Sequence, residues 1–248
     1  MQASMGQTAL EEKGFARLEG KGIGMRRARG CRRALRRAVG LVAMLAVVGG
    51  LGTAGAARAD TAGEPPSAVV EAFHGELLKA MKRADELGYE GRYELIAPAL
   101  RATFDLDFMA EKAVGRHWRE LSEEDQARMR DIFTRFTLST YASRFSGYSG
   151  ERFETTAEQP APRDTMFVRT RLVRTDGEAP VEINYRLHRI EPGWRVIDVL
   201  LRGTVSELAL RRSEYSSVIK RDGFEALLSE LEEKIADLAE GKVEDSPS

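Results

Sequence analysis

Cysteine is all but missing from this chain: Cys31 is the only one in 248 residues. It stands ahead of an uncharged stretch, not at its end, so it is not a lipoprotein cysteine. With no other thiol, the body of the chain has no disulfide, no thiolate metal site and no thiol nucleophile. Histidine is scarce too. His74 is expected on a helix surface, His117 beside Trp118 and His188 on the polar face of a strand. No H-E-x-x-H occurs, so a zinc site is not expected. There is no P-loop. Gly147-Tyr148-Ser149-Gly150 begins like the nucleophile elbow G-x-S-x-G, but Glu151 occupies the fifth place. Asp105 and Asp107 read better as helix caps than as a catalytic pair. No internal repeat and no long linker is visible.

What the chain does have begins with a basic run from Met25, containing Arg26, Arg27, Arg29, Arg32, Arg33, Arg36 and Arg37. An uncharged stretch from Ala38 to Ala57 follows, and then the A-x-A signature Ala57-Arg58-Ala59. This order predicts a secretory signal peptide over residues 1–59, with Met25 an alternative start and cleavage before Asp60. The competing reading is a retained anchor, since the uncharged stretch is nearly long enough to span a bilayer. Removing the segment changes the charge. The formal net charge of the whole chain is −1, whereas residues 60–248 carry 27 Lys and Arg against 36 Asp and Glu, about −9. Such a surface argues against nucleic acid and against strong adhesion to anionic headgroups.

Residues 60–67, with Pro65-Pro66, read as a flexible lead-in, residues 68–240 as one domain and residues 241–248 as a frayed tail. The domain opens in helical grammar. Val69, Val70, Phe73, Leu77, Ala80, Met81 and Ala84 share one face, which predicts a helix over 67–87. Gly88 and Gly91 mark a break. A second helix is expected from about Arg92, with Pro98 kinking it or setting a new start. A short helix from about Asp107 should end at Gly115.

Ser122-Glu123-Glu124-Asp125 resembles a capping box and predicts a helix from Ser122 to about Phe145. Met129, Ile132, Phe133 and Phe136 lie on one face of it. Leu138, Tyr141, Ala142 and Phe145 repeat the spacing half a turn out of phase. A helix between two layers, or a kinked one around an apolar interior, has this pattern.

After Gly150 the period becomes two. Residues 151–157, 165–175, 180–190 and 194–202 read as four strands of an antiparallel meander. Val181, Ile183, Tyr185 and Leu187 alternate with Glu182, Asn184, Arg186 and His188, giving one apolar and one polar face. Helix returns after Gly203, and a last helix follows Asp222-Gly223, with Phe224, Leu227, Leu228, Leu231, Ile235 and Leu238 at helical spacing. The class is α+β: an antiparallel sheet of about four strands flanked by N-terminal and C-terminal helices.

Phe104-Asp105-Leu106-Asp107-Phe108-Met109-Ala110, then Ala113-Val114-Gly115-Arg116-His117-Trp118, Tyr141 and Trp194-Arg195-Val196-Ile197-Asp198-Val199 together resemble the MlaC family, also called toluene-tolerance proteins. Gly203-Thr204-Val205-Ser206 and Arg211-Arg212-Ser213-Glu214-Tyr215 are similar to its hopanoid-associated branch, HpnM. The resemblance covers about residues 68–238. It implies a periplasmic lipid carrier, the auxiliary component of a lipid-transport ABC system, with no cofactor. The implied ligand is a phospholipid or hopanoid-like lipid. The implied partners are an inner-membrane transporter complex and, for the phospholipid branch, an outer-membrane lipoprotein.

These readings converge on an apolar cavity between the sheet and the helices, lined by Phe136, Val168, Ile183, Tyr185 and Val196. Two rival classes stay open. One is a secreted cavity enzyme of isomerase or hydrolase type using Asp198 or His117, because Asp198 is the ionisable residue in a largely apolar strand. The other is a structural periplasmic adaptor acting through the last helix.

Overall fold

A computed structural model describes residues 64–242, Pro192 apart. The expected signal segment, residues 60–63 of the lead-in and the tail from 243 lie outside the described residues. Helix α1, Pro66–Lys82, buries Val70, Phe73, His74, Leu77 and Met81. It ends five residues sooner than its apolar stripe predicts. Helix α2, Ala84–Thr103, starts at once and bends at Gly88, whose φ of 60° and ψ of −169° are not helical. A residue with a Cβ would be strained there. Pro98, by contrast, lies inside α2 without any departure from helical geometry.

Helix α3, Leu106–Val114, is capped by Asp105, whose carboxylate accepts the Phe108 N–H at 3.1 Å. It runs into a 3₁₀ turn, Gly115–Glu120, that buries Trp118. Helix α4, Glu123–Arg144, is capped by Ser122, whose hydroxyl oxygen accepts the Asp125 N–H at 3.1 Å. The hydroxyl in turn donates to the Asp125 carboxylate. Asp125 stands where a capping box usually has Glu or Gln, and its shorter side chain turns the second bond toward the cap's own hydroxyl.

Five antiparallel strands follow in sequential order: β1 Arg152–Ala161, β2 Thr165–Val173, β3 Val181–Ile190, β4 Gly193–Leu201 and β5 Val205–Ser206. The meander is the expected one, with β5 as an addition. Bulges interrupt β1 near Thr156 and β4 opposite Arg186 and Leu187. The turn from β4 to β5 places Gly203 at φ 80°, where a residue with a Cβ would be strained.

Helix α5, Glu207–Asp222, leaves β5 directly, and α6, Phe224–Ala239, follows Gly223. Helices α1, α2, α3 and α5 pack on the sheet, α4 packs against α2, α3 and α6, and α6 also meets α5. The two opposed faces of α4 therefore each have a layer to cover them, as a helix between two layers requires. No helix among the described residues is long and apolar enough to cross a membrane.

Candidate lipid-binding interior

Strand alternation places the site. Residues directly opposite in an antiparallel ladder share a face. Val168 stands opposite Tyr185, Tyr185 opposite Val199, and Leu187 opposite Val196. Val168, Ile183, Tyr185 and Val196 therefore share one face of the sheet, and all four are buried. The chain also reaches this face from the helices: Phe104 bridges to Val196, and the Asp105 N–H donates to the Val196 carbonyl at 2.9 Å.

Phe136, the fifth residue expected here, is buried as well, but the Arg211 guanidinium of α5 lies 4.6 Å over its ring. The aromatic side chain that α4 sends toward the sheet side is Tyr141, on the helix's other face. Tyr141, Phe73 and Phe104 meet edge to face, with centroids 5.1 to 5.8 Å apart. Tyr141 stacks on Phe145, which approaches Phe153 of β1. Phe153 stacks on His74 at 3.9 Å. A continuous run of rings thus links α1, the end of α2, α4 and β1.

His74 closes that run on β3, with its Nε2 2.9 Å from the Tyr185 hydroxyl. It is not on a helix surface, as the sequence suggests, but 3% exposed. The register of α1 explains the correction: His74 falls four residues after Val70 and three before Leu77, on the buried stripe. Burial lowers its pKa to about 3, so the ring is neutral, and burial raises the Tyr185 hydroxyl well above its ordinary value. The pair is a neutral polar bridge in an apolar surround.

The groups considered for catalysis are otherwise engaged. Asp198 accepts from the Ser206 hydroxyl at 2.6 Å and from the Leu208 N–H at 3.2 Å, tying β4 to the start of α5. Burial raises its pKa, and those two donors work against the rise. His117 pairs with Glu120 through Nδ1 at 3.0 Å. His188 pairs with Asp105 at 2.9 Å, so one carboxylate caps α3 and also anchors β3. Asp198 and His117 thus have separate partners. Among the described residues no three His, Cys, Asp or Glu side chains gather as a metal site would need.

A model of the MlaC protein family matches residues 71–233. The chain belongs to the MlaC family. A solved phospholipid-binding protein from Ralstonia solanacearum, determined in complex with a phospholipid, is similar in fold. It is 24% identical, with a TM-score of 0.63, over 71% of this chain and 99% of that one. Comparison with the curated proteins yields no match. The matched region runs from within α1 to within α6, so the interior just described is MlaC-family fold throughout. The sequence reading of this MlaC-family chain puts Phe73, Tyr141 and Phe145 on apolar helix faces without assigning them to the cavity, and it gives no place there to His74, Phe104 or Phe153. The signal for Phe73 and His74 was the spacing of α1. No local pattern announces that Phe104 and Phe153, far apart in sequence, meet the same rings.

Proposed function

We propose that this chain is a periplasmic carrier that holds a phospholipid or a hopanoid-like lipid in its interior and shuttles it between membranes. It serves as the auxiliary component of a lipid-transport system. Its partners are an inner-membrane transporter complex and, for a phospholipid cargo, an outer-membrane lipoprotein. The observation that carries this reading is the broad aliphatic and aromatic surface between sheet and helices, in a fold shared with a protein solved holding a phospholipid. The hydrocarbon would lie along Val168, Ile183, Tyr185 and Val196, with Tyr141 on the helix side.

No chemistry is required of such a protein. Each buried CH₂ contributes about 0.8 kcal/mol, so an acyl chain of ~16 carbons gains on the order of 12 kcal/mol before entropic costs. A ligand held that firmly leaves only when something else offers it apolar surface, which is why a carrier needs membrane partners. The enzyme reading asks Asp198 or His117 to act on a substrate, and each is already spent on a structural bond.

Native mass spectrometry of the exported chain tests the proposal. The expected spectrum shows a polypeptide beginning at Asp60 with a bound lipid mass. A protein that is empty as isolated, and that shows turnover abolished by Asp198→Asn, would replace the carrier with an enzyme.

A further inference from the structure

Helix α5 carries a feature that the interior does not use. Tyr215 and Val218 turn inward and are buried. On the outward flank, Ala209, Arg212, Ser213, Ser216, Ser217 and Lys220 recur at helical spacing and, with Arg221, line a groove of about 630 Å³. At 1.5 Å per residue the stripe is roughly 16 Å long. Its lining holds three cationic residues and no carboxylate.

Apart from Arg221, the polar groups in this groove are uncommitted among the described residues. Among the described residues, neither Arg212 nor Lys220 forms an ion pair, although Arg128, Arg135 and Arg211 elsewhere are each met by two carboxylates. Arg221 alone in the groove is paired, with Asp222 and Glu230. The hydroxyls of Ser213, Ser216 and Ser217 make no hydrogen bond among the described residues. On α4, Thr134, Thr137 and Thr140 each donate to the carbonyl one turn back. Arg212 also lies against Gly115, where an added Cβ would come within 2.9 Å of its Nε. That contact sets its stem beside the 3₁₀ turn.

We infer that this groove binds the phosphate of a phosphoester anion. A guanidinium fork, an ammonium and hydroxyl donors on one face match phosphate oxygens, which accept several bonds at once. A single carboxylate would leave most of those donors idle. The net charge of about −9 over residues 60–248 opposes general adhesion to an anionic surface. A local cationic groove therefore gives a weak, oriented and releasable contact. The site lies on the outer flank of α5 and does not depend on the interior cargo.

The test uses the full exported chain. Two probes separate the sources of the phosphate: phosphatidylcholine vesicles doped with phosphatidylglycerol, read by co-sedimentation, and soluble glycerol phosphate, read by titration calorimetry. The variants are Arg212→Gln with Lys220→Gln, and separately Ser217→Glu, all at exposed positions. Vesicle binding that weakens with salt and falls about fivefold for each cation removed assigns the phosphate to a lipid headgroup. Glycerol phosphate binding that is lost in the same variants, without vesicle binding, assigns it to a free phosphoester. Either result upholds the groove. Binding that is unchanged in the variants, or absent for both probes, overturns it. So does retention on polyglutamate with neither phosphate probe bound, which would mark the groove as a protein-docking face. Lipid retained by native mass spectrometry in the Arg212→Gln/Lys220→Gln variant keeps this outcome separate from the fate of the carrier proposal.

Discussion

His74 sits between a stacked Phe153 ring and the Tyr185 hydroxyl, with almost no contact with water. Its folded pKa of about 3 lies below the ordinary 6.5, and the sign of the linkage follows. Between those values the unfolded chain binds a proton that the folded chain refuses. The stability is complete above about pH 6.5 and drains away as pH falls toward 3, at up to about 1.4 kcal/mol per pH unit. Asp198 acts in the opposite sense, because its folded pKa is raised: its contribution is fullest at low pH and is lost as pH climbs through the raised value. The difference between parent and His74→Gln isolates the histidine. Glutamine keeps a polar group near the Tyr185 hydroxyl but does not titrate. Thermal melts at pH 7 and pH 4 should show the parent losing more stability than the variant. Parallel pH profiles would mean that His74 is protonated in the folded protein after all.

Between elements, the packing of α6 on α4 shows which kind of contact dominates. Arg128 pairs with Glu225 at 2.7 and 2.8 Å, and Arg135 pairs with Glu232. Seven residues separate the members on each helix, so the two pairs fix the register of one helix on the other. All four side chains are substantially exposed, and exposed pairs contribute little. Leu227 and Leu231 beneath them are buried. Leu231→Ala should therefore cost ~2–5 kcal/mol in urea unfolding, and Arg135→Gln far less. The reverse ranking would show that charge, not apolar burial, holds α6 down. The same contrast explains what could be read in advance. The helix start at Ser122 was legible because capping is chemistry within three residues, and that of α3 nearly so, with Asp105 as its cap and Asp107 inside the first turn. The α1 boundary was not, since the apolar stripe of α1 continues across the break at Arg83 into Ala84. β1 runs to Ala161, past Pro160, which an interior strand would reject; as an edge strand β1 can leave that missing N–H pointing away from the ladder. β5 has only two residues, too few for any period to show.

Across the whole molecule, alternation in β3 was enough to name one wall of the interior, because period two is a local property. The opposite wall was not legible, because which half of α4 faces the sheet depends on where α6 docks. Phe136 and Tyr141 both fit the pattern, and long-range packing sends Phe136 to Arg211 and Tyr141 to Phe73 and Phe104. The remaining question for this interior is whether its apolar faces close into solid core or part to admit a lipid. Ile183 decides between them, being buried on the central strand with Leu201 opposite. If the space is solid, Ile183→Trp overpacks it and costs ~1–3 kcal/mol, with bound lipid unaffected. If the interior opens for hydrocarbon, the indole occupies volume that lipid would take. The melting temperature then holds or rises, and the co-purifying lipid falls. We expect the second outcome, measured as melting temperature together with lipid extracted per mole of protein. A large loss of stability with the lipid content intact would move the cargo away from this face of the sheet.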